Sequence, residues 1–249
     1  MVKALLLDLS GVLYVGEDLV EGAVKTVKQA RDRGWILRFV TNTATKNRAQ
    51  ILEKLHTMDI PLEDDELFTA PMAALACIRR ENLTPYALVH ENLQEDFAEV
   101  SGGNPDCVVL GDARDGLSYA AMNRAFRLVR DGAPLLAIGY NKYFRTEEGM
   151  MLDAGAFVHA LEWAAGVEAG ILGKPSADFF HEVVASTGCE ASECLMIGDD
   201  ADADVAAAVH AGLHGCLVRS GKYSEGDEER LPKEAWTIDS IADLFTGAG

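Results

Sequence analysis

The sequence lacks a hydrophobic run long enough to cross a membrane. Apolar runs such as Ala4–Leu7 and Cys107–Leu110 are far shorter than the roughly 20 residues that a membrane-spanning helix needs. The first residues, Met1–Leu7, are typical of a β-strand rather than of a signal peptide. With 249 residues, 49% hydrophobic and 25% charged, the composition excludes a disordered or fibrous chain and predicts a soluble globular protein.

Positive charge is also scarce. The chain has 22 Lys and Arg against 40 Asp and Glu, a formal net charge of -18. Such a surface repels the phosphates of nucleic acids and anionic lipid headgroups, so neither nucleic acid nor a membrane is expected as a partner. An anionic substrate would therefore depend on a few well-placed cations or on a bound metal.

Cysteine pairs are missing as well. The five cysteines are odd in number, widely scattered and without a C-x-x-C pair, at positions Cys77, Cys107, Cys189, Cys194 and Cys216. This usage argues against a disulfide framework or a zinc site and favours reduced thiols packed in a core. The cytoplasm is therefore the expected compartment.

What the sequence does contain is an alternation of apolar strands and helices at both ends. Unbroken apolar runs without a polar alternation are typical of strands covered on both faces of a parallel sheet. The predicted order is a strand at Lys3–Asp8, a helix at Gly22–Arg33, a strand at Ile36–Val40, a helix at Thr45–His56, then Ile171–Leu172, a helix at Pro175–Thr187, a strand at Cys194–Ile197, a helix near Ala201–Ala211 and a strand at Gly215–Val218. Both ends are therefore predicted to build one doubly wound α/β sheet.

The middle of the chain carries strand and helix patterns of its own and is long enough for a domain. Its predicted strands and helices are Tyr86–Val89, Asp106–Leu110, Leu117–Arg130, Pro134–Ile138 and Phe157–Ala165. We therefore predict a core domain from residues 1–70 and 171–249, with an α/β cap domain inserted as residues 71–170. In this cap, residues 141–145 combine cations and aromatics, and the pattern leaves open whether they contact substrate or form a solvated loop with Tyr143 and Phe144 packed inward.

Four short polar segments follow apolar strands of the predicted core. They begin at Asp8, Thr41, Gly173 and Gly198, and in an open α/β sheet the carboxyl ends of strands converge on one crevice. Together they supply a carboxylate nucleophile, a hydroxyl and an amide for phosphate oxygens, a lysine and a cluster of acids. This set of groups suits phosphoryl transfer, which depends mostly on positioning and charge neutralisation.

With these segments in place, the chain resembles the haloacid dehalogenase superfamily of aspartate-nucleophile phosphatases, whose four motifs match in order and spacing. The insert resembles that family's type IIA cap. The motifs D-L-S-G-V-L-Y, V-T-N-T, C-V-V-L-G-D, G-M-M-L-D-A-G, G-K-P-S and M-I-G-D-D are similar to those of the phospholysine phosphohistidine inorganic pyrophosphate phosphatase branch. The resemblance covers the whole chain.

The resemblance assigns roles to individual residues. It implies that Asp8 attacks phosphorus and forms an aspartyl-phosphate, that Thr41 and Asn42 bind the phosphoryl oxygens, and that Lys174 balances charge. Each residue type also has a structural interpretation. Asp8 could form an Asx turn, Lys174 could lie on the surface, and Thr41 or Asn42 could cap the next helix, a place that Thr43 or Thr45 could also take.

The same resemblance implies a magnesium site. Asp8, the Ser10 carbonyl and Asp199 would be direct ligands, with Asp204 supporting them, Asp200 beside them and Asp202 solvated. An EF-hand counted from Asp200 fails, since Val205 would stand where Gly is needed and Ala211 where the bidentate Glu belongs.

Ser10 departs from the family pattern. Most phosphatases of the superfamily have an Asp at this position as the general acid, and a Ser hydroxyl is a very weak acid. Losing a positioned acid costs on the order of 10² to 10⁴ in rate when the leaving group needs a proton. Phosphoramidates and metal-bound pyrophosphate escape this penalty, and they are the substrates that the branch resemblance implies.

The sequence therefore predicts a magnesium-dependent phosphatase acting on small phosphorylated molecules, phosphoramidates or pyrophosphate. Two alternatives stay open: a catalytically weak binding module in which Ser10 marks decay, and a receiver-type phosphoacceptor. The order of the acids and the domain-sized insert argue against the receiver. A homodimer formed through the cap is a further open expectation.

Overall fold

The computed structural model describes residues 1–146 and 149–246, which contain both strands and helices. The strands are β1 (Ala4–Asp8), β2 (Tyr14–Val15), β3 (Asp18–Leu19), β4 (Ile36–Thr41), β5 (Leu67–Thr69), β6 (Pro85–Leu88), β7 (Cys107–Leu110), β8 (Leu135–Ala137), β9 (Tyr143–Thr146), β10 (Gly149–Leu152), β11 (Gly170–Ile171), β12 (Cys194–Gly198), β13 (His214–Val218) and β14 (Ala235–Ile238). The helices are α1 (Ala23–Asp32), α2 (Arg48–Thr57), α3 (Ala70–Glu81), α4 (Gln94–Ala98), α5 (Tyr119–Arg130), α6 (Ala154–Ala165), α7 (Ala177–Thr187) and α8 (Ala207–His210), the last preceded by a π-helical turn over Ala201–Ala206. In this described part of the chain, no helix is both long and apolar enough to traverse a lipid bilayer.

The chain divides into two compact units. The first comprises Met1–Thr41, Ile51–Phe68 and Lys174–Gly249, and the second comprises Asn42–Gln50 and Thr69–Gly173. The division predicted from the sequence, with a core of residues 1–70 and 171–249 and a cap of residues 71–170, stays a prediction.

The first unit contains a six-stranded sheet in the order β14-β13-β12-β1-β4-β5. Each pairing from β14 through β4 is parallel. All residues of β1 and β12 are buried, as expected for apolar strands that other elements cover on both faces. The predicted α/β fold with a parallel-sheet core is confirmed.

The register of the central strands places Asp8, at the end of β1, beside the end of β12, which Asp199 follows. Leu7 pairs with Ile197 of β12, and Asp8 pairs with Val40 of β4. Leu5, Leu7 and their neighbours on one face of the sheet pack with α1 and α2, where Val27 and Leu55 are fully buried. The chain leaves β1 toward β4 on one side and later returns as β12 on the other, so the carboxyl ends of β1 and β12 form a topological switch point.

The second unit has its own parallel sheet, in the order β11-β8-β7-β6. Side chains from one face pack with α5 and α6, and side chains from the other pack with α3 and α4. Helix α3 begins where the Thr69 hydroxyl accepts a hydrogen bond from the Met72 amide at 3.2 Å, with Pro71 in its first turn.

The placement of Ile171–Leu172 in the core sheet was wrong. Gly170 and Ile171 form β11, which pairs in parallel with Leu136 and Ala137 of β8 in the second unit. Two apolar residues do not specify their sheet. The helix α6 before them brings the chain back beside β8, as a parallel crossover does.

The start of α2 also differs from the sequence prediction. The Asn47 side chain accepts a hydrogen bond from the Gln50 amide at 2.9 Å, and the Gln50 side chain accepts one from the Asn47 amide at 3.0 Å. This reciprocal capping begins the helix at Arg48 rather than at Thr45, so neither Thr43 nor Thr45 is the cap.

Candidate active site

Asp8 ends the central strand of the first unit and is 7% exposed. It is the last residue of a fully buried apolar strand, so its backbone is fixed by ladders to two neighbouring strands. A carboxylate at this position meets the side chains that follow the adjacent strand, because the carboxyl ends of parallel strands share one edge.

Lys174 lies against Asp8 and is 4% exposed. Its Nζ is 2.6 Å from Asp8 Oδ1 and 2.6 Å from Asp204 Oδ1. Burial lowers the pKa of this ammonium, but the carboxylates of Asp204 and Asp8 more than reverse that and raise its pKa above the ordinary value. Lys174 is therefore a buried cation that holds one oxygen of Asp8, which excludes the interpretation of a surface lysine.

Asp199 directly follows β12 and is 3% exposed. Its Oδ2 accepts a hydrogen bond from the Lys222 amide at 2.8 Å. Gly11 packs against the same oxygen with φ +91°, and a Cβ on Gly11 would lie 1.9 Å from Asp199 Oδ2. Only glycine combines that backbone conformation with such a close approach.

Asp204 lies on the π-helical turn after β12 and is 1% exposed. A Cβ on Gly198 would lie 2.3 Å from the Asp204 side chain, so the glycine that ends β12 lets this carboxylate approach the sheet. Oxygens of Asp8, Asp199 and Asp204 all lie within 4.8 Å of one another. Three buried carboxylates thus lie together while Lys174 pairs with only two of them, Asp8 and Asp204, and this excess of negative charge favours a bound cation.

The protonation of the two strand-end carboxyls reflects this crowding. Burial, followed by repulsion from Asp8 and Asp204, raises the pKa of Asp199 to about 7. Burial also raises the pKa of Asp8 to about 6, although Lys174 acts in the opposite direction. Without a cation, the folded state thus retains protons that an unfolded chain, with Asp near its usual value of 3.8, has lost.

This predicts an unusual pH dependence of stability. Because Asp8 and Asp199 bind more protons in the folded state than in the unfolded chain between about pH 4 and pH 7, their contribution to the free energy of unfolding of chelator-treated protein should fall as pH rises through that window. For Asp199 alone the fall from pH 5 to pH 7.5 should be on the order of 2 to 3 kcal/mol. Urea unfolding of wild type and Asp199→Asn at both pH values measures it, since every other titrating group is common to both proteins. Equal pH dependence in the two proteins would contradict the prediction.

The other acids after β12 have different surroundings. Asp200 caps the helix by accepting hydrogen bonds from the amides of Asp202 and Ala203, and its Oδ2 lies 3.4 Å from Lys222 Nζ. Asp202 is exposed, as predicted, but it also forms an ion pair with Arg230. Neither lies in the carboxylate cluster, which leaves Asp202 as a matched control for substitutions there.

Among the remaining predicted residues, Thr41 is the last residue of β4 and is 3% exposed. Ser10 lies two residues beyond Asp8, is exposed and forms an isolated bridge with Tyr14. Asn42 belongs to the second unit and is half-buried. The structure therefore brings together Asp8, Lys174, Asp199 and Asp204, while the roles of all seven predicted residues stay predictions.

The segment 141–145, which the sequence places in the predicted cap, is described only in part. Tyr143 is 58% exposed, so it is not packed inward. The side chains of Phe144 and Arg145 lie outside the described residues.

Sequence reasoning missed the segment Ser220–Lys222, which follows β13. Its Lys222 amide binds Asp199, and the Ser220 hydroxyl donates to the Gly11 carbonyl at 2.6 Å. Gly215–Val218 is a predicted strand, so the rule that polar residues after strands converge would also have pointed to these residues.

Two family models and a curated relative match this chain. Residues 5–101 match the family model described as haloacid dehalogenase-like hydrolase, and residues 171–244 match a model described as HAD-hydrolase-like. The chain is 41% identical over 229 residues to the human haloacid dehalogenase-like hydrolase domain-containing protein 2, covering 92% of this chain and 88% of that protein.

Two further proteins are similar over nearly the whole chain. Phospholysine phosphohistidine inorganic pyrophosphate phosphatase of Rattus norvegicus is 38% identical over 250 residues, covering 97% of this chain and 92% of that protein. The structure of p-nitrophenyl phosphatase from Archaeoglobus fulgidus superposes with a TM-score of 0.90 at 25% identity, covering 99% of both chains.

Proposed function

The chain belongs to the haloacid dehalogenase-like hydrolases, and from that membership we propose that it is a magnesium-dependent phosphatase acting through an aspartyl-phosphate on Asp8. The observation that carries the proposal is the buried ion pair between Asp8 and Lys174, 2.6 Å apart. A nucleophilic carboxylate must be ionised, and a lysine held against it favours the charged form.

The reaction follows from this pair. One oxygen of Asp8 attacks phosphorus while the bond to the leaving group breaks, and the leaving group departs with that electron pair. Water then attacks the aspartyl-phosphate, which releases inorganic phosphate and restores the carboxylate. Lys174 offsets negative charge throughout, and Thr41 and Asn42 are the proposed partners of the phosphoryl oxygens.

Magnesium fits the donor set. Mg²⁺ prefers oxygen ligands, and the cluster offers three buried carboxylates. Burial and repulsion among these carboxylates raise the pKa values of Asp8 and Asp199. A divalent cation would offset that repulsion. Asp8, the Ser10 carbonyl and Asp199 would hold the ion, with Asp204 supporting them. When bound, it would neutralise charge on the phosphoryl group.

Ser10 narrows the substrate class. With a hydroxyl in place of a carboxyl, the enzyme lacks a strong acid two residues beyond the nucleophile, which favours leaving groups that need no proton in the transition state. Phosphoramidates and pyrophosphate are of that kind. The rat relative's name, a phospholysine, phosphohistidine and pyrophosphate phosphatase, supports the same class for this chain.

Ser10 therefore predicts a steep dependence of rate on leaving-group pKa. Each pKa unit of an unassisted leaving group costs up to about tenfold in rate, so p-nitrophenyl phosphate should greatly exceed alkyl phosphates. Ser10→Asp should flatten this dependence by raising alkyl phosphate turnover relative to p-nitrophenyl phosphate. The measurement is kcat/KM over a leaving-group series for both proteins. A flat series in wild type would mean that another residue supplies the proton.

Ser10 is also the observation that favours a second candidate, a binding module with little catalysis. Turnover of p-nitrophenyl phosphate with and without MgCl₂ separates the two, because a binding module would bind phosphate without releasing p-nitrophenol. A panel of phosphorylated metabolites, phosphoramidates and pyrophosphate then identifies the substrate.

The five cysteines are free thiols, which supports a reducing compartment such as the cytoplasm.

A further inference from the structure

The segment Ser220–Lys222 touches two parts of the candidate site at once. The Ser220 hydroxyl donates to the Gly11 carbonyl at 2.6 Å, and the Lys222 amide donates to Asp199 Oδ2 at 2.8 Å. Between them, Gly221 has φ +62°, and a Cβ there would lie 2.0 Å from Asp199 Oδ2 and 2.5 Å from the Gly11 Cα. The segment therefore packs directly on the turn that follows the proposed nucleophile.

Gly11 is held from both sides. Its amide donates to the Tyr14 carbonyl at 2.7 Å, and its carbonyl accepts from Ser220. The Gly11 amide and the Ser10 carbonyl belong to one planar trans peptide, so an amide fixed on Tyr14 directs the Ser10 carbonyl to the opposite side. The bond from Ser220 fixes the next peptide plane, which leaves the φ +91° turn at Gly11 little freedom.

We propose that Ser220 is a positioning residue for the magnesium site: its hydroxyl holds the Gly11 turn against Gly221, and so sets the Ser10 carbonyl relative to the Asp199 carboxylate. The inference rests on the proposed function, because it concerns the ligands assigned there. Ser220 acts through Gly11, whose carbonyl accepts the hydrogen bond from its hydroxyl. The Lys222 ammonium lies 3.4 Å from Asp200 Oδ2, on the carboxylate that caps the following helix.

The test measures magnesium affinity without turnover. The thermal midpoint of chelator-treated protein is recorded over a MgCl₂ series, and the logarithmic rise of stability with Mg²⁺ concentration is fitted for the Kd of the ion. Ser220→Ala should raise that Kd about fivefold to tenfold, as expected when one hydrogen bond to a carbonyl is lost. Ser220→Thr, which keeps the hydroxyl, should restore the wild-type value.

A matched control comes from the same unit. Ser186 also donates its hydroxyl to a carbonyl at 2.6 Å, that of Val183, in a helix that is not part of the carboxylate cluster. Ser186→Ala should lower the thermal midpoint without changing the fitted Kd for Mg²⁺. If Ser220→Ala does not fold, Ser220→Cys, with its weaker donor, provides the measurement and should give an intermediate loss.

The outcomes separate the inference from the function on which it rests. A wild-type protein with no magnesium-dependent shift overturns both. A wild-type shift with unchanged affinity in Ser220→Ala, or an equal loss in Ser186→Ala, overturns the positioning role alone. Reduced affinity in Ser220→Ala, recovery in Ser220→Thr and no change in Ser186→Ala support it.

Discussion

Asp8→Asn should abolish phosphatase turnover, lowering kcat at least about a thousandfold for every substrate that wild type hydrolyses. The amide has the shape of the carboxylate but is not a nucleophile, so no aspartyl-phosphate can form. Asp8 is 7% exposed and its Oδ1 faces Lys174, so the substitution removes chemistry with little change in packing. The measurement is p-nitrophenyl phosphate turnover, with acid-quenched wild type examined by mass spectrometry for a phosphoryl adduct on Asp8.

The control for this substitution is Asp202→Asn, a change of the same chemistry in an exposed acid paired with Arg230. It should leave kcat within about twofold, because Asp202 lies outside the carboxylate cluster. It should also leave the protein folded, since an exposed ion pair contributes on the order of 1 kcal/mol or less to stability. The thermal midpoints of both variants establish that each is folded. Turnover in Asp8→Asn above about a thousandth of wild type would contradict covalent catalysis at this residue.

The central sheet was predictable because its signals are local and repeated. Unbroken apolar runs ending in Asp8 and Thr41, and the run at Cys194–Ile197, specify buried parallel strands, and the convergence of their carboxyl ends follows from sheet geometry. The juxtaposition of Asp8 with Asp199 required no more than that rule and adjacency of the two strands.

What escaped prediction depends on tertiary pairing. The pair Gly170–Ile171 joins the second sheet because β8 lies beside it, and nothing in two residues encodes that neighbour. The hairpin of β2 and β3 has two residues in each strand, too few for a pattern. The bonds from Ser220 and Lys222 depend on how three loops meet at one sheet edge, which only the assembled strand order defines.

Removal of divalent cations should have an effect as large as loss of the nucleophile. Activity should fall at least about a thousandfold in excess chelator and return with MgCl₂, because three buried carboxylates would otherwise repel an anionic phosphate. Asp199→Ala should reproduce the chelated state, with MgCl₂ unable to restore turnover. Asp202→Ala, in the same run of acids but outside the cluster, should respond to MgCl₂ as wild type does.

Asp199→Ala also separates two interpretations of the carboxylate cluster by the sign of its effect. If the carboxylates hold a cation, their loss lowers activity in MgCl₂. If they merely repel phosphate, removing one should raise activity in chelator. Thermal midpoints provide a second readout: at a hundred times its Kd, a bound ion stabilises the folded state by about 2.7 kcal/mol, or on the order of 5 to 10 °C for a chain of this length. Wild type should show this shift and Asp199→Ala should not. Undiminished wild-type activity in excess chelator, with no thermal shift in MgCl₂, would contradict the metal site, and the acids would then need another role.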